Sequence, residues 1–184
     1  IGNILVANFF LHFFYAWMII YAPIYFHDVI GMSYEQFGLM LTLALSAFVI
    51  FPYPAGWLAD KYIGEKELLI GGFLLMGITS LLIPYLTFAG AGMLMWVALL
   101  FIGRAGASTV EAMAETYFFK QIDGKNAGLM GYFRRSRPLA FIIAPILASA
   151  LLEFEFITLE GLFYVLAGVM LFAAIYMFRL VDTK

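Results

Sequence analysis

Arg104, Ser108, Glu111 and Glu115 follow one another at steps of four, three and four in an otherwise apolar stretch. A helix with 3.6 residues per turn carries all four on one narrow line. An isolated charge at the bilayer centre costs roughly 2.5–3.5 kcal/mol even on the gentler insertion scale. Such a row therefore persists only if it is paired, wet, or both. A cation and two carboxylates in line suit proton or ion coupling. The plainer reading is a structural ladder of ion pairs, and the two roles can coexist.

Partners for that row lie on the next apolar stretch. Folding the chain back about residue 123 brings Glu111 near residues 135–137 and Glu115 near residues 131–133. Arg134, Arg135 and Arg137 are found there. The register predicts two intramembrane ion pairs, Glu111 with Arg137 and Glu115 with Arg134. Arg135 points away from the 134/137 face and is expected to reach the membrane surface along its aliphatic stem. Arg104 has no partner in this register, which makes it the better candidate for a functional charge. A second polar stripe comprises Asn8, His12 and Tyr15, at steps of four and three. Polar groups inside membranes often only join neighbouring helices. Three on one stripe fit better a face that meets water or a ligand.

The elements that must position these residues follow from composition. The chain has 184 residues, 65% hydrophobic and 12% charged, with a mean hydropathy of +0.98. A soluble domain of this size cannot cover so much apolar surface, so an all-α membrane protein is expected. About 20 apolar residues span the hydrocarbon, and six spans are read, roughly 2–26, 34–58, 67–88, 93–121, 126–152 and 160–180, forming a single transmembrane domain. Ser33-Tyr-Glu-Gln36 is a capping box opening the second span. Ala89-Gly-Ala-Gly92 and Asp123-Gly-Lys-Asn126 are tight connections. No cysteine is present, so disulfides and thiolate metal sites drop out. The first residue is Ile and no charged leader precedes the first span, so a signal peptide is not expected and the chain reads as a fragment of a longer protein.

Lys and Arg set the orientation. Lys61 and Lys66 mark the connection at 59–66, Lys120 and Lys125 the one near 120–126, and Arg179 and Lys184 the C-terminal end. The connections at 27–33, 89–92 and 153–159 have neither residue type. The alternation is complete and places both termini in the cytoplasm. Helix character also repeats with a period of three. Polar stripes fall on spans one and four. Small and Pro-rich faces fall on two and five, with Ala140, Ala144, Ala148, Pro138 and Pro145 on the fifth. Spans three and six are bland and apolar. This is the character of a 3+3 inverted repeat.

The connection Gly56-Trp-Leu-Ala-Asp60-Lys61-Tyr-Ile-Gly64-Glu65-Lys66 interrupts the apolar pattern with Gly, Asp and Lys. Gly56 would let helix backbones approach, Asp60 would face a helix N-terminus, Gly64 would turn the chain, and Lys61 and Lys66 would hold the loop at one surface. The segment resembles the signature loop between the second and third helices of each half of the major facilitator superfamily of transporters. The chain has two residues, Tyr62 and Ile63, where the family usually has one, and Glu65 where a basic residue is usual.

The resemblance implies one six-helix half of a secondary transporter that moves a small solute by alternating access, with protons or ions as coupling partners. The chain begins inside a span and stops directly after the sixth without a long basic linker, so the C-terminal half is expected. The resemblance also implies that spans one and four line the pathway, making Asn8, His12, Tyr15, Arg104, Ser108 and Glu111 pathway residues. It implies that spans two and five form the moving interface with the missing half, and that Asp60 meets a helix end of that half. A multi-pass protein of the cell membrane is expected, with no cofactor, no metal and no nucleic-acid partner. The alternative is a non-transporting scaffold or sensor held by a structural charge ladder. An enzyme is not expected. A Gly-x-Ser-Gly setting with a membrane His is absent, and His12 and His27 lie fifteen residues apart.

Overall fold

The computed structural model describes residues 2–122 and 127–180. The connection 123–126, with Lys125, lies outside the described residues, as does Lys184. Among those described, six helices are long and apolar enough to cross a membrane and no strand is present. They are α1 (Gly2–Asp28), α2 (Tyr34–Ile63), α3 (Glu65–Phe88), α4 (Met93–Gln121), α5 (Ala127–Glu153) and α6 (Leu159–Met177).

Local chemistry sets the helix ends. Ser33 Oγ accepts from the Gln36 N–H, and Gln36 Oε1 accepts from the Ser33 N–H, so the capping box is formed. Thr158 caps α6 by accepting from the Gly161 N–H. Gly31 and Gly90 take φ of 80° and 67° in the turns after α1 and α3, a region that only glycine enters at little cost.

α2 is the irregular helix. It runs as Tyr34–Leu45, Ala47–Ile50 and Pro52–Leu58, interrupted at Ser46 and Phe51. Pro52 lacks the N–H needed to continue the ladder, and the Ser46 hydroxyl bonds back to the Leu43 carbonyl at 2.6 Å. The helix then continues past residue 58 as a π-turn, Ala59–Ile63, closed by the Gly64 N–H on the Ala59 carbonyl at 3.1 Å. A π-turn takes one more residue per turn than an α-turn. It therefore absorbs the additional residue that separates Lys61 from Gly64. Gly64 follows at φ 92° and releases the chain into α3.

Packing follows the expected period of three. α1 packs on α5 as α4 packs on α2, and α3 packs on α4 as α6 packs on α1. The contacts α3–α6 and α1–α4 map onto themselves when the two triplets are exchanged. Ala140, Ala144 and Ala148 are fully buried on α5, whose main described neighbour is α1. The tightest glycine approach joins α3 to α4. A Cβ on Gly72 would lie 2.8 Å from the Gly106 carbonyl oxygen, and one on Gly106 would lie 2.7 Å from that of Gly72. Gly56 does not serve this purpose within the chain, since a Cβ there meets nothing within 4 Å.

The two ends of the chain meet on one side of the bundle. Asn3 Nδ2 donates to the Arg179 carbonyl at 3.2 Å, and the Tyr176 hydroxyl donates to Asn3 Oδ1 at 3.2 Å. Tyr25 and Thr87 join the far ends of α1 and α3 at 2.8 Å. Burial is uneven. Only 22% of the apolar stretch of α2 and of α5 is buried, against 56% in α1 and α4.

Candidate functional site

The polar stripes of α1 and α4 face each other across the α1–α4 contact. The Tyr15 hydroxyl donates to Glu111 Oε2 at 2.8 Å. His12 lies edge-on to the Tyr15 ring, with centroids 5.7 Å apart. Its Nδ1 sits 2.7 Å from the Asn8 carbonyl oxygen. A carbonyl only accepts, so Nδ1 carries the proton and Nε2 remains the basic nitrogen of the neutral ring.

Asn8 turns toward α5. Its Nδ2 donates to Ser136 Oγ at 2.5 Å and to the Phe133 carbonyl at 3.0 Å, and Ser136 Oγ donates to that same carbonyl at 2.6 Å. All three groups are buried. Asn8 is thus both a cavity wall and a structural tie between α1 and α5. Ser136 was not anticipated, although it sits within the Arg cluster that the antiparallel register already placed beside α4.

Two cavities meet at Glu111. One, of about 340 Å³, is lined by Asn8, His12, Glu111, Glu115, Phe133, Arg134 and Arg137. The other, also about 340 Å³, is lined by Tyr15, Ile19, Leu41, Leu45, Phe48, Arg104 and Glu111. The first is polar with both signs of charge; the second is mostly apolar. The α4 row grades from core to surface between them. Arg104 and Ser108 are buried, Glu111 is half-buried and Glu115 is exposed.

The two expected ion pairs are not formed. Among the described residues, the ion pairs involve Lys120 alone. Glu111 and Glu115 share a cavity with Arg134 and Arg137 without closing on them. Glu111 is drawn to the Tyr15 hydroxyl instead, and both arginines are exposed on α5. Arg137 lies against the Phe141 ring at 5.9 Å, and Arg135 against Tyr132 at 5.6 Å. Ser108 lines neither cavity. Its hydroxyl is buried without a hydrogen-bond partner.

At the C-terminal end of α4, Lys120 bonds Glu65 and lies 3.4 Å from Asp60 Oδ1. Glu65 is 1% exposed and opens α3; Asp60 lies in the π-turn of α2. Lys120 thus joins three helix ends. The Glu65 that departs from the signature loop is matched by this cation. The pairing was legible in principle, since charge counting puts Lys120 and the loop on one side of the bilayer. Lys61 lies over the Trp57 and Tyr62 rings, at 5.2 and 5.3 Å, and is exposed.

Six apolar spans with paired triplets and an α1–α4 polar face define an all-α, multi-pass integral membrane protein. The sequence profile of the Major Facilitator Superfamily matches residues 4–184, and the chain belongs to that family. Among solved structures, the POT family transporter PepTSo is similar, with a TM-score of 0.74 at 15% identity. The match covers 100% of this chain and 38% of that one. At this identity the likeness is one of fold. No curated protein sequence matches the chain significantly.

Proposed function

We propose that this chain is one six-helix half of a secondary active transporter. The complete protein moves a small solute by alternating access, and protons or ions couple to that movement through the α1–α4 face. Both termini lie in the cytoplasm, and the host is the cell membrane. The carrying observation is the Tyr15–Glu111 hydrogen bond at the junction of two cavities. A protonatable carboxylate there reaches a polar cavity and an apolar one. His12, with Nε2 available, stands beside it.

Family membership supports the reading, as does the low burial of α2 and α5. Those are the helices that would slide against the missing half, with Gly56 and Asp60 at the cytoplasmic end of that contact. The open space around Gly56 suits a backbone supplied by the other half. The scaffold alternative needs a closed charge ladder between α4 and α5. The unpaired Glu111, Glu115, Arg134 and Arg137 do not supply one among the described residues.

The test is water access in the complete transporter. The chain has no native cysteine, so once any cysteine of the other half is replaced each introduced thiol reports alone. Cysteines at His12 and Glu115 react with a membrane-impermeant maleimide, and at least tenfold faster than one at Phe163, which is fully buried. Equal inertness at all three positions would remove the aqueous pathway from this face.

A further inference from the structure

We propose that Arg104 receives the anionic group of the substrate, and that the cavity beside it takes a small carboxylate with an apolar body. The proposal rests on the transporter reading for passage but not for binding.

Arg104 is residue 12 of the 29 in α4, about 16 Å from the helix start. That depth is near the middle of a ~30 Å hydrocarbon core. The side chain is 5% exposed. Its Nε has no hydrogen-bond partner, and no carboxylate among the described residues pairs with it. The guanidinium lies over the Phe14 ring, 5.8 Å away, and shares a cavity wall with Tyr15 and Glu111. A ring face attracts the cation but accepts none of the directed N–H bonds that a guanidinium offers. A guanidinium remains charged in proteins, so it cannot escape the burden by losing a proton.

A buried cation left in this state is an incomplete site. The group that completes it must be an anion, and a carboxylate matches the planar fork with two parallel hydrogen bonds. A lipid headgroup cannot reach mid-membrane depth. Of the remaining sources, a solute and a carboxylate of the missing half, the cavity of about 340 Å³ beside Arg104 favours the solute, and failure of the acid to bind in the test below assigns the place to the missing half. The cavity selects the rest of the molecule. Ile19, Leu41, Leu45 and Phe48 give it an apolar wall, and about 340 Å³ holds a small organic body. Glu111 also lines this cavity, but its Oε2 already accepts from Tyr15 and it lies seven residues further along α4, about 10 Å away. A second anionic group on the ligand would be repelled there, so the site fits a monoanion.

The test uses the complete transporter in nanodiscs of neutral phosphatidylcholine. Isothermal titration compares 4-phenylbutyrate with its neutral amide, 4-phenylbutyramide. The acid binds at least tenfold tighter than the amide. Arg104→Gln abolishes the difference, and Arg104→Lys, which keeps the charge but not the fork, retains part of it. Leu45→Trp, filling the apolar wall, weakens both probes at least tenfold while thermal unfolding stays cooperative. Equal binding of acid and amide, absence of acid binding, or a preference that survives Arg104→Gln overturns the proposal. Sealed proteoliposomes separate the two readings. Arg104-dependent binding with no entry of the acid keeps the site and overturns transport. Entry of the acid at an unchanged rate in Arg104→Gln keeps transport and overturns the site.

Discussion

The Tyr15 hydroxyl donates to Glu111 Oε2 at 2.8 Å and joins α1 to α4 where two cavities meet. The bond crosses the pseudosymmetric α1–α4 contact, so it couples the two triplets of the bundle. It also holds the carboxylate away from the arginines of α5.

Tyr15→Phe removes the donor and keeps the ring. A hydrogen bond to a charged group contributes about 1.5–3 kcal/mol, so a transport cycle that depends on it slows by about ten- to a hundredfold. Glu111→Gln keeps the size and removes the titratable proton. It is expected to abolish accumulation driven by a pH gradient while leaving solute exchange at equal pH. Initial rates in proteoliposomes, with and without the gradient, measure both. Gradient-driven accumulation at the wild-type level in Glu111→Gln removes this carboxylate from coupling.

Lys120 and Glu65 form an ion pair in which one partner is buried and the other is 43% exposed along its side chain. Exposure of the lysine screens the pair, so a contribution of about 1 kcal/mol is expected. Lys120→Glu places like charges together and lowers the thermal midpoint by a few degrees. The double swap Lys120→Glu with Glu65→Lys recovers at least half of that loss, measured as a double-mutant cycle. Strict additivity of the two single changes would show that the residues do not interact.

Gly72 and Gly106 face each other across α3 and α4, each against the other's backbone carbonyl. Backbone cannot yield as a side-chain tip can, so Gly106→Ala costs about 1–3 kcal/mol by overpacking. Gly56→Ala costs under about 0.5 kcal/mol in this chain alone, because the space is open. On the proposed two-half arrangement, the same Gly56→Ala change slows transport by the complete protein. Thermal unfolding of the six-helix chain and uptake by the complete protein separate the two effects. Wild-type stability in Gly106→Ala would contradict the close approach.

Fold class was largely written in the sequence. Apolar runs of about 20 residues leave the backbone no alternative to helices in lipid. Ser33 and Gln36 announced a helix start because their bonds are local. The polar stripes on α1 and α4 were legible for the same reason, since residues three and four apart share a face whatever else the chain does.

Pairings between helices were decided by the tertiary structure. Helical register predicted that Glu111 and Glu115 would close on Arg137 and Arg134, but periodicity is blind to the competing hydroxyl of Tyr15 on α1. It could not show that Asn8 would bind Ser136, or that Lys120 would reach Asp60 and Glu65 across three helix ends. Within this chain Gly56 lies in open space, and the close approach between described helices joins Gly72 to Gly106. Sequence order determined which residues share a face. Three-dimensional packing decided which faces meet, because side-chain bonds across helices depend on distances of a few ångströms that no one-dimensional spacing contains.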